Sequence, residues 1–246
     1  MRYALITGAS RGIGRATAIE LAKDGCHVII NYKENHEAAY EALRLVREAG
    51  GKGELLQFDV SEPEDINAAL DRWFAAHPDE YIDVLVNNAG AVADELMLWM
   101  EPEQWHSVLD VNLNGFFYIT RRILGGMIEN HHGRVVNISS ISGQVGFPGK
   151  INYTAAKSAL IGVTRALAVE VASRKITVNA VAPGVIDTEM AKKSSEYMPD
   201  KLQDLNNIPM HRWGKPEEVA YLVSFLCSSK ADYISGQVIG INGGAI

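Results

Sequence analysis

Apolar and polar positions follow two patterns that alternate along the chain. Seven short runs, rich in β-branched and other apolar residues, have the length and composition of buried strands. They occupy residues 3–7, 27–31, 55–60, 84–88, 134–139, 176–183 and 237–242. Helical periodicity fills nearly every interval between them. Strands that alternate with helices predict a parallel sheet covered by helices on both faces.

The intervals contain no proline- or serine-rich linker, no repeat and no low-complexity tract. We therefore predict a single doubly wound α/β domain over residues 1–246, with a seven-stranded parallel sheet. Segment 187–212 departs from the pattern, because it has weak strand character, two prolines and mixed charge. We expect this segment to form a lid over a ligand cleft.

A glycine-rich turn follows the first predicted strand. It reads Thr7-Gly8-Ala9-Ser10-Arg11-Gly12-Ile13-Gly14, and a helix with apolar periodicity starts near Ile13. Glycines there permit a tight turn and a close backbone approach to a pyrophosphate, and the helix N-terminus supplies free amides. Glycines also serve ordinary turns. The strand before and the helix after this turn favour a dinucleotide site of the Rossmann type.

The end of the second strand bears on the choice of dinucleotide. Domains of this type commonly place an acid there to bind the adenosine 2'-hydroxyl. The chain reads Asn31-Tyr32-Lys33 instead, with no acid before Glu34. Arg11 and Lys33 could meet a 2'-phosphate, so NADP(H) is favoured over NAD(H). The alternative is that both are solvated surface charges.

A second group of polar residues lies downstream. Ser140 closes the fifth strand, Tyr153 follows, and Lys157 is four residues beyond Tyr153, on the same face of a helix. A free tyrosine has a pKa of about 10, which a nearby cation such as Lys157 would lower. Ser140 could orient a carbonyl oxygen while Tyr153 donates a proton to it. Taken alone, this spacing is more often an amphipathic helix with a surface lysine.

The motifs in combination resemble the short-chain dehydrogenase/reductase family from end to end. They are Thr-Gly-x-x-x-Gly-x-Gly, Asn-Asn-Ala-Gly, Ser140, Tyr153-x-x-x-Lys157 and Pro183-Gly184. Within that family, TGASRGIG, VASRKITVNAVAPGVIDTEM and GQVIGINGGA are most similar to the 3-oxoacyl-[acyl-carrier-protein] reductases. The resemblance implies NADPH-dependent reduction of a β-ketoacyl thioester on an acyl carrier protein, in fatty-acid synthesis or a specialised polyketide or polyene pathway.

The resemblance also implies roles for individual residues. The catalytic residues are Asn112, Ser140, Tyr153 and Lys157, with Asn112 helping to hold a water that relays protons through Lys157. The cofactor-binding residues are Gly8, Ser10, Arg11, Gly12, Ile13, Gly14, Asn31, Tyr32, Lys33, Asp59, Val60, Asn88, Ala89, Gly90, Tyr153, Lys157, Pro183, Gly184, Ile186 and Thr188. Neither Cys26 and Cys227 nor the adjacent His131 and His132 have metal-ligand spacing, so we expect no metal.

Two departures bear on the substrate. Of two basic positions that help relatives to dock the acidic carrier, Arg174 matches one, but the other is His131. Trp99 stands where many relatives have an arginine, and it either shapes a different acyl site or simply packs. Carrier docking would need a local patch drawn from Arg121, Arg122, Arg134, Arg165, Arg174 and Lys175.

One alternative function remains open, and two others are disfavoured. The same chemistry could act on a free small ketone, sugar or steroid alcohol. A redox-sensing or scaffolding relative could bind NADP(H) without turnover, but retention of all four catalytic residues speaks against it. An enoyl reductase is disfavoured, because relatives with that activity place more than three residues between the tyrosine and the lysine.

The net charge, the apolar runs and one helix bear on the partners and the cellular location of the protein. A formal net charge of -7 argues against general nucleic-acid affinity. The N-terminus lacks a signal-peptide pattern and no apolar run is long enough to cross a bilayer, so we expect a cytoplasmic protein. Helix 153–172 carries more apolar residues than one sheet contact needs: Ala156, Ala159, Leu160, Val163, Leu167 and Val171. Such helices form interfaces in relatives, which are usually homotetramers, and we predict the same assembly.

Overall fold

A computed structural model describes residues 1–192 and 205–246. Seven parallel strands form one sheet in the order β3-β2-β1-β4-β5-β6-β7. The strands are β1 (Tyr3–Ile6), β2 (His27–Tyr32), β3 (Lys52–Gln57), β4 (Ile82–Asn87), β5 (Gly133–Ile138), β6 (Ile176–Pro183) and β7 (Val238–Ile241). The order reverses between β1 and β4, which opens a crevice at their carboxyl ends. The predicted doubly wound sheet is confirmed.

Strand β3 lies three residues earlier than its apolar run predicted. It spans Lys52–Gln57 rather than residues 55–60, with Lys52 paired to His27 and Gln57 to Tyr32. It is an edge strand, so pairing with β2 sets its limits and its residues need not be apolar. The buried Phe58 and Val60 lie beyond its end, in the connection to the next helix.

Helices cover both faces of the sheet. They are α1 (Gly12–Lys23), α2 (His36–Glu48), α3 (Pro63–Ala76), α4 (Pro102–Leu109), α5 (Gly115–Glu129), α6 (Ile151–Val171) and α7 (Pro216–Cys227). Successive β1 residues point to opposite faces: Ile6 joins a core with α1, α2 and α7, and Leu5 joins a core with α3, α5 and α6. None of the described helices is long and apolar enough to span a membrane.

Two irregular segments lie near the crevice. A π-helical turn, Asp110–Asn114, joins α4 to α5 and contains Asn112. Such turns rotate the chain locally and are frequent at functional sites. Residues 193–204 of the predicted lid lie outside the described residues. The described start of that segment, including Thr188, borders the crevice. The lid and the single-domain organisation stay predictions.

Candidate active site

One cavity of about 510 Å³ lies at the carboxyl ends of the strands. Its wall includes every predicted cofactor-binding residue except Gly14, together with Ser140. Asn112 lies behind the wall, where it borders a much smaller pocket. Residues from the glycine-rich turn and from α6 therefore face one continuous space. The roles assigned to them remain predictions.

The glycine-rich turn depends on the absence of side chains. Gly8 and Gly12 have φ angles of 61° and 55°, in the left-handed region that favours glycine. Gly14 lies behind the turn, and a Cβ there would be 2.6 Å from the Gly8 carbonyl oxygen and 2.5 Å from Asn88 Nδ2. Gly14 thus acts through close packing of the helix start against the turn.

Hydrogen bonds join the strand ends beneath this turn. Thr7 Oγ1 accepts from the backbone amides of Asn88 and Ala89, at 2.9 Å each. Asn31 Oδ1 accepts from the Gly8 amide at 3.0 Å, and Asn31 Nδ2 donates to the Phe58 carbonyl. Asn31 therefore supports the wall by bonding to backbone. The sequence places Thr7 at the start of the glycine-rich turn but did not indicate this bracing role.

Two cations lie at what we call the adenosine end of the cavity, formed by Arg11, Lys33 and Asp59. Lys33 Nζ is 2.7 Å from Asp59 Oδ2, and Arg11 Nη1 is 2.8 Å from Glu189 Oε2. Burial tends to raise the pKa of Asp59, but hydrogen bonds from Lys33 and Ser61 outweigh it and lower that pKa. The Lys33 and Arg11 side chains are more than half exposed, so their ion pairs are weak and readily exchanged.

Ser140, Tyr153 and Lys157 meet at what we call the chemical end of the cavity. Ser140 follows β5, and its side chain is hydrogen-bonded to Tyr153. Tyr153 lies in the first turn of α6 and Lys157 one turn later. Lys157 Nζ is 5.5 Å from the centre of the Tyr153 ring and donates to the Ile138 carbonyl at 2.9 Å. The structure thus brings together the three residues that the sequence singled out.

Burial controls the proton affinities here. It raises the pKa of Tyr153 to about 12; the hydrogen bond to Ser140 opposes that rise, and the Asp94 carboxylate adds to it. Burial also lowers the pKa of Lys157 to about 7. We had expected Lys157 to lower the pKa of Tyr153, but its hydrogen bond goes to Ile138 and desolvation dominates. At neutral pH Tyr153 is a protonated phenol, which suits a proton donor.

Asn112 lies close to Lys157 and presents a side-chain oxygen towards it. Its Nδ2 donates to the carbonyls of Ala91 and Val108, at 2.8 Å each. Its Oδ1 is buried, without a hydrogen-bond partner among the residues that the structure describes. A Cβ placed on Gly90 would be 3.0 Å from that oxygen and 3.7 Å from Lys157 Nζ. Both groups therefore face the same small space, where a water would satisfy them.

Sequence reasoning missed a buried ion pair at the chemical end. Lys150 Nζ is 2.5 Å from Asp94 Oδ2, and the side chains are 8% and 5% exposed. Lys150 lines the cavity. The two residues are 56 positions apart, and the nearness of Lys150 to Tyr153 in sequence was the one available signal.

The proposed basic patch loses one of its members, Arg134. Arg134 is buried and forms an ion pair with Asp232, so it cannot reach a carrier protein. Arg122 pairs with Asp71 on α3. Arg121, Arg165, Arg174 and Lys175 are exposed.

His131 and Trp99, the two positions that depart from the pattern of relatives, both lie at the surface. His131 is exposed, in the turn after α5, with a φ angle of 49°. Trp99 is 61% exposed and belongs to a run of exposed apolar residues, 96–99. Interior packing therefore does not explain Trp99.

The glycine turn and the exposed cations Arg11 and Lys33 in the cavity wall fit a dinucleotide. A family model described as Enoyl-(Acyl carrier protein) reductase matches residues 8–245. A protein named 3-oxoacyl-[acyl-carrier-protein] reductase FabG from Aquifex aeolicus is 44% identical, over 99% of this chain and 96% of its own length. Its namesake from Staphylococcus aureus strain N315 is 40% identical, over 99% and 97%.

Two further relatives also match over nearly their whole length. A 3-oxoacyl-[acyl-carrier-protein] reductase from a Synechocystis species is 42% identical, over 100% of this chain and 97% of its own. A solved structure from Agrobacterium tumefaciens, provisionally described as a gluconate dehydrogenase, is 35% identical with a TM-score of 0.92, over 99% and 95% of the two chains. The chain belongs to the short-chain dehydrogenase/reductase family of nicotinamide-dependent oxidoreductases, as its motifs predicted.

Proposed function

We propose that the chain reduces the keto group of a 3-oxoacyl thioester, carried by an acyl carrier protein, to the 3-hydroxyacyl form with NADPH. The observation that carries this proposal is the continuous cavity, in which the Ser140–Tyr153 pair and Lys157 share a wall with the glycine-rich turn. A dinucleotide pyrophosphate fits the turn, and a carbonyl fits beside the two hydroxyls. The relatives at 40–44% identity carry the name of this reaction.

The side chains at the chemical end account for the proton that the reaction consumes. Bound NADPH supplies the hydride. Ser140 and Tyr153 donate hydrogen bonds to the ketone oxygen and stabilise the negative charge that develops on it. Tyr153, protonated at neutral pH, then gives its proton to that oxygen. Lys157, with a pKa near 7, can return a proton through a water held by Asn112.

The preference for NADPH rests on the adenosine end. Arg11 and Lys33 both line the cavity, and their carboxylate partners are held by weak, exposed ion pairs. A 2'-phosphate would offer each cation a stronger, more highly charged partner. Position 33 is a lysine rather than the acid that would repel that phosphate.

A carrier partner is supported by charge, and a homotetramer by exposed apolar side chains. Acyl carrier proteins are acidic, and Arg121, Arg165, Arg174 and Lys175 are exposed cations outside the cavity. Phe117 on α5 and Val169 on α6 are 54% and 83% exposed, which is costly unless other copies cover them. Light scattering would report a monomer if this proposed assembly is wrong.

The decisive assay compares substrates at a fixed NADPH concentration. We expect acetoacetyl carrier protein to be reduced with a much higher kcat/KM than acetoacetyl N-acetylcysteamine, because the carrier adds binding contacts. Crotonyl carrier protein tests enoyl reduction, the activity in the family model's description, and should give no turnover. Turnover of the crotonyl substrate alone would overturn the proposal.

A second candidate is a dehydrogenase of free hydroxy acids or sugars. It is favoured by the solved relative described as a gluconate dehydrogenase and by the loss of Arg134 from the basic patch. The same assay therefore also measures the oxidation of gluconate and other free alcohols with NADP⁺. Turnover there, with none on the acetoacetyl thioesters, would replace the first candidate with the second.

A further inference from the structure

The ion pair between Asp94 and Lys150 lies beside Tyr153, and neither member is among the four predicted catalytic residues. Lys150 Nζ is 5.9 Å from the centre of the Tyr153 ring and 2.5 Å from Asp94 Oδ2. Both side chains are less than a tenth exposed. Desolvating two charges is costly, and replacing such pairs with apolar residues is often neutral for stability. Stability is therefore a weak explanation for this pair.

The pair joins two segments that support Tyr153. Asp94 lies in the connection after β4, and Lys150 immediately precedes α6. Next to the pair, the Glu95 amide donates to the carbonyl of the residue before Lys150 at 2.9 Å. Asn152 Nδ2 donates to the carbonyl of the residue before Asp94, also at 2.9 Å. These bonds hold the first turn of α6, and with it Tyr153, against the loop.

The two charges act on Tyr153 with opposite signs. Among the described residues, the charged groups that face it are Asp94 from the loop after β4, Lys150 from the position just before α6, and Lys157 from α6. Ser140, after β5, is its neutral hydrogen-bond partner. Next to burial, the Asp94 carboxylate raises the pKa of Tyr153. A cation near the ring favours the phenolate, and both effects are strong where water is excluded.

We propose that Asp94 and Lys150 are positioning residues for Tyr153: they hold the first turn of α6 in place, and each offsets the effect of the other's charge on the phenol. This inference rests on the proposed function only in its kinetic test, which uses the proposed reaction in reverse. Loss of Lys150 removes a positive charge from beside Tyr153 and keeps the Asp94 carboxylate. Loss of Asp94 removes a negative charge and keeps the Lys150 ammonium. The two losses therefore have opposite electrostatic consequences, although both break the same contact.

The test uses Asp94→Asn, Lys150→Gln and the double variant in the reverse reaction, oxidation of a 3-hydroxybutyryl thioester with NADP⁺. That direction needs the Tyr153 phenolate, so its rate rises with pH. We expect Asp94→Asn to move the rising limb of kcat to lower pH by about one unit, and Lys150→Gln to move it higher by about as much. The double variant should lie near the wild type. If both single variants shift the rising limb in the same direction, or if neither shifts it, the electrostatic part of the inference is wrong and the pair only holds the two segments together.

Controls come from ion pairs distant from the cavity. Asp71→Asn and Lys23→Gln make the same chemical changes in exposed pairs and should leave the profile unmoved. A readout without substrate separates this inference from the proposed function. In protein containing 3-fluorotyrosine, a more acidic phenol, the Tyr153 ¹⁹F resonance is assigned by its absence from Tyr153→Phe. Its titration should shift in opposite directions in the two single variants, even if no acyl thioester is turned over; equal or absent shifts would refute the inference.

Discussion

At the adenosine end, Lys33 and Arg11 are 63% and 56% exposed, and their ion pairs with Asp59 and Glu189 lie in reach of water. At the chemical end, Lys150 and Asp94 form an ion pair from which water is largely excluded, and Lys157 is buried. Exposed pairs are worth little and are screened by salt, so an anionic ligand can replace one partner. Buried charges instead alter the proton affinities of their neighbours. One cavity thus has exposed, exchangeable charges at one end and buried charges that alter proton affinities at the other.

The largest expected effect is at the chemical end. Tyr153→Phe removes the proposed proton donor but keeps the ring that lines the cavity. We expect kcat to fall roughly 10²–10⁴-fold, because general acid catalysis contributes about that much. The dissociation constant for NADPH, measured by fluorescence titration, should change little. Comparable turnover in the variant would show that another group supplies the proton.

The next effect concerns the stability contribution of Lys157. Its pKa is about 7 in the folded chain and 10.5 in the reference state, so the unfolded state binds more protons between those values. The free energy of unfolding therefore rises with pH across this window. We expect wild type to gain about 2–4 kcal/mol relative to Lys157→Met between pH 7 and 10.5. Denaturant titrations at several pH values measure it, and parallel curves for the two proteins would contradict a buried, depressed lysine.

At the adenosine end, backbone packing should matter more than any single charge. Gly14→Ala places a Cβ against Asn88 and the Gly8 carbonyl, so we expect a loss of about 1–3 kcal/mol and weaker dinucleotide binding. Gly125→Ala, a helical glycine whose Cβ would meet nothing within 4 Å, is the matched control. It should stabilise the chain slightly, by about 0.5–1 kcal/mol. Thermal melts distinguish the two, and an unaffected Gly14→Ala would show that the turn can relax.

The smallest expected effect is on cofactor choice. Lys33→Ala or Arg11→Ala should each weaken NADPH binding by roughly fivefold, the equivalent of about 1 kcal/mol for an exposed charge. NADH binding should be unchanged, because it lacks the 2'-phosphate. The NADPH effect should shrink as salt is raised. Equal losses of affinity for NADPH and NADH would mean that these cations do not bind the 2'-phosphate.

Much of the architecture was predictable because it is encoded locally. Apolar runs and helical periodicity predicted the positions along the chain of seven strands and of the helices between them. A parallel sheet with short connections then allows few topologies. The turn from Gly8 to Gly14 was recognised because its strand and helix adjoin it in sequence. Tyr153 and Lys157 were recognised because one helical turn separates them.

The sequence by itself therefore determined the fold class and the family, together with many of the residues that line the cavity. Only the tertiary structure decided the limits of β3, the ion pair of Arg134 with Asp232, and the meeting of Asp94 with Lys150. It also decided that burial, rather than contact with Lys157, sets the pKa of Tyr153. The reason is physical: hydrophobic periodicity repeats over a few residues, whereas burial and charge pairing depend on groups that folding brings together from distant parts of the chain.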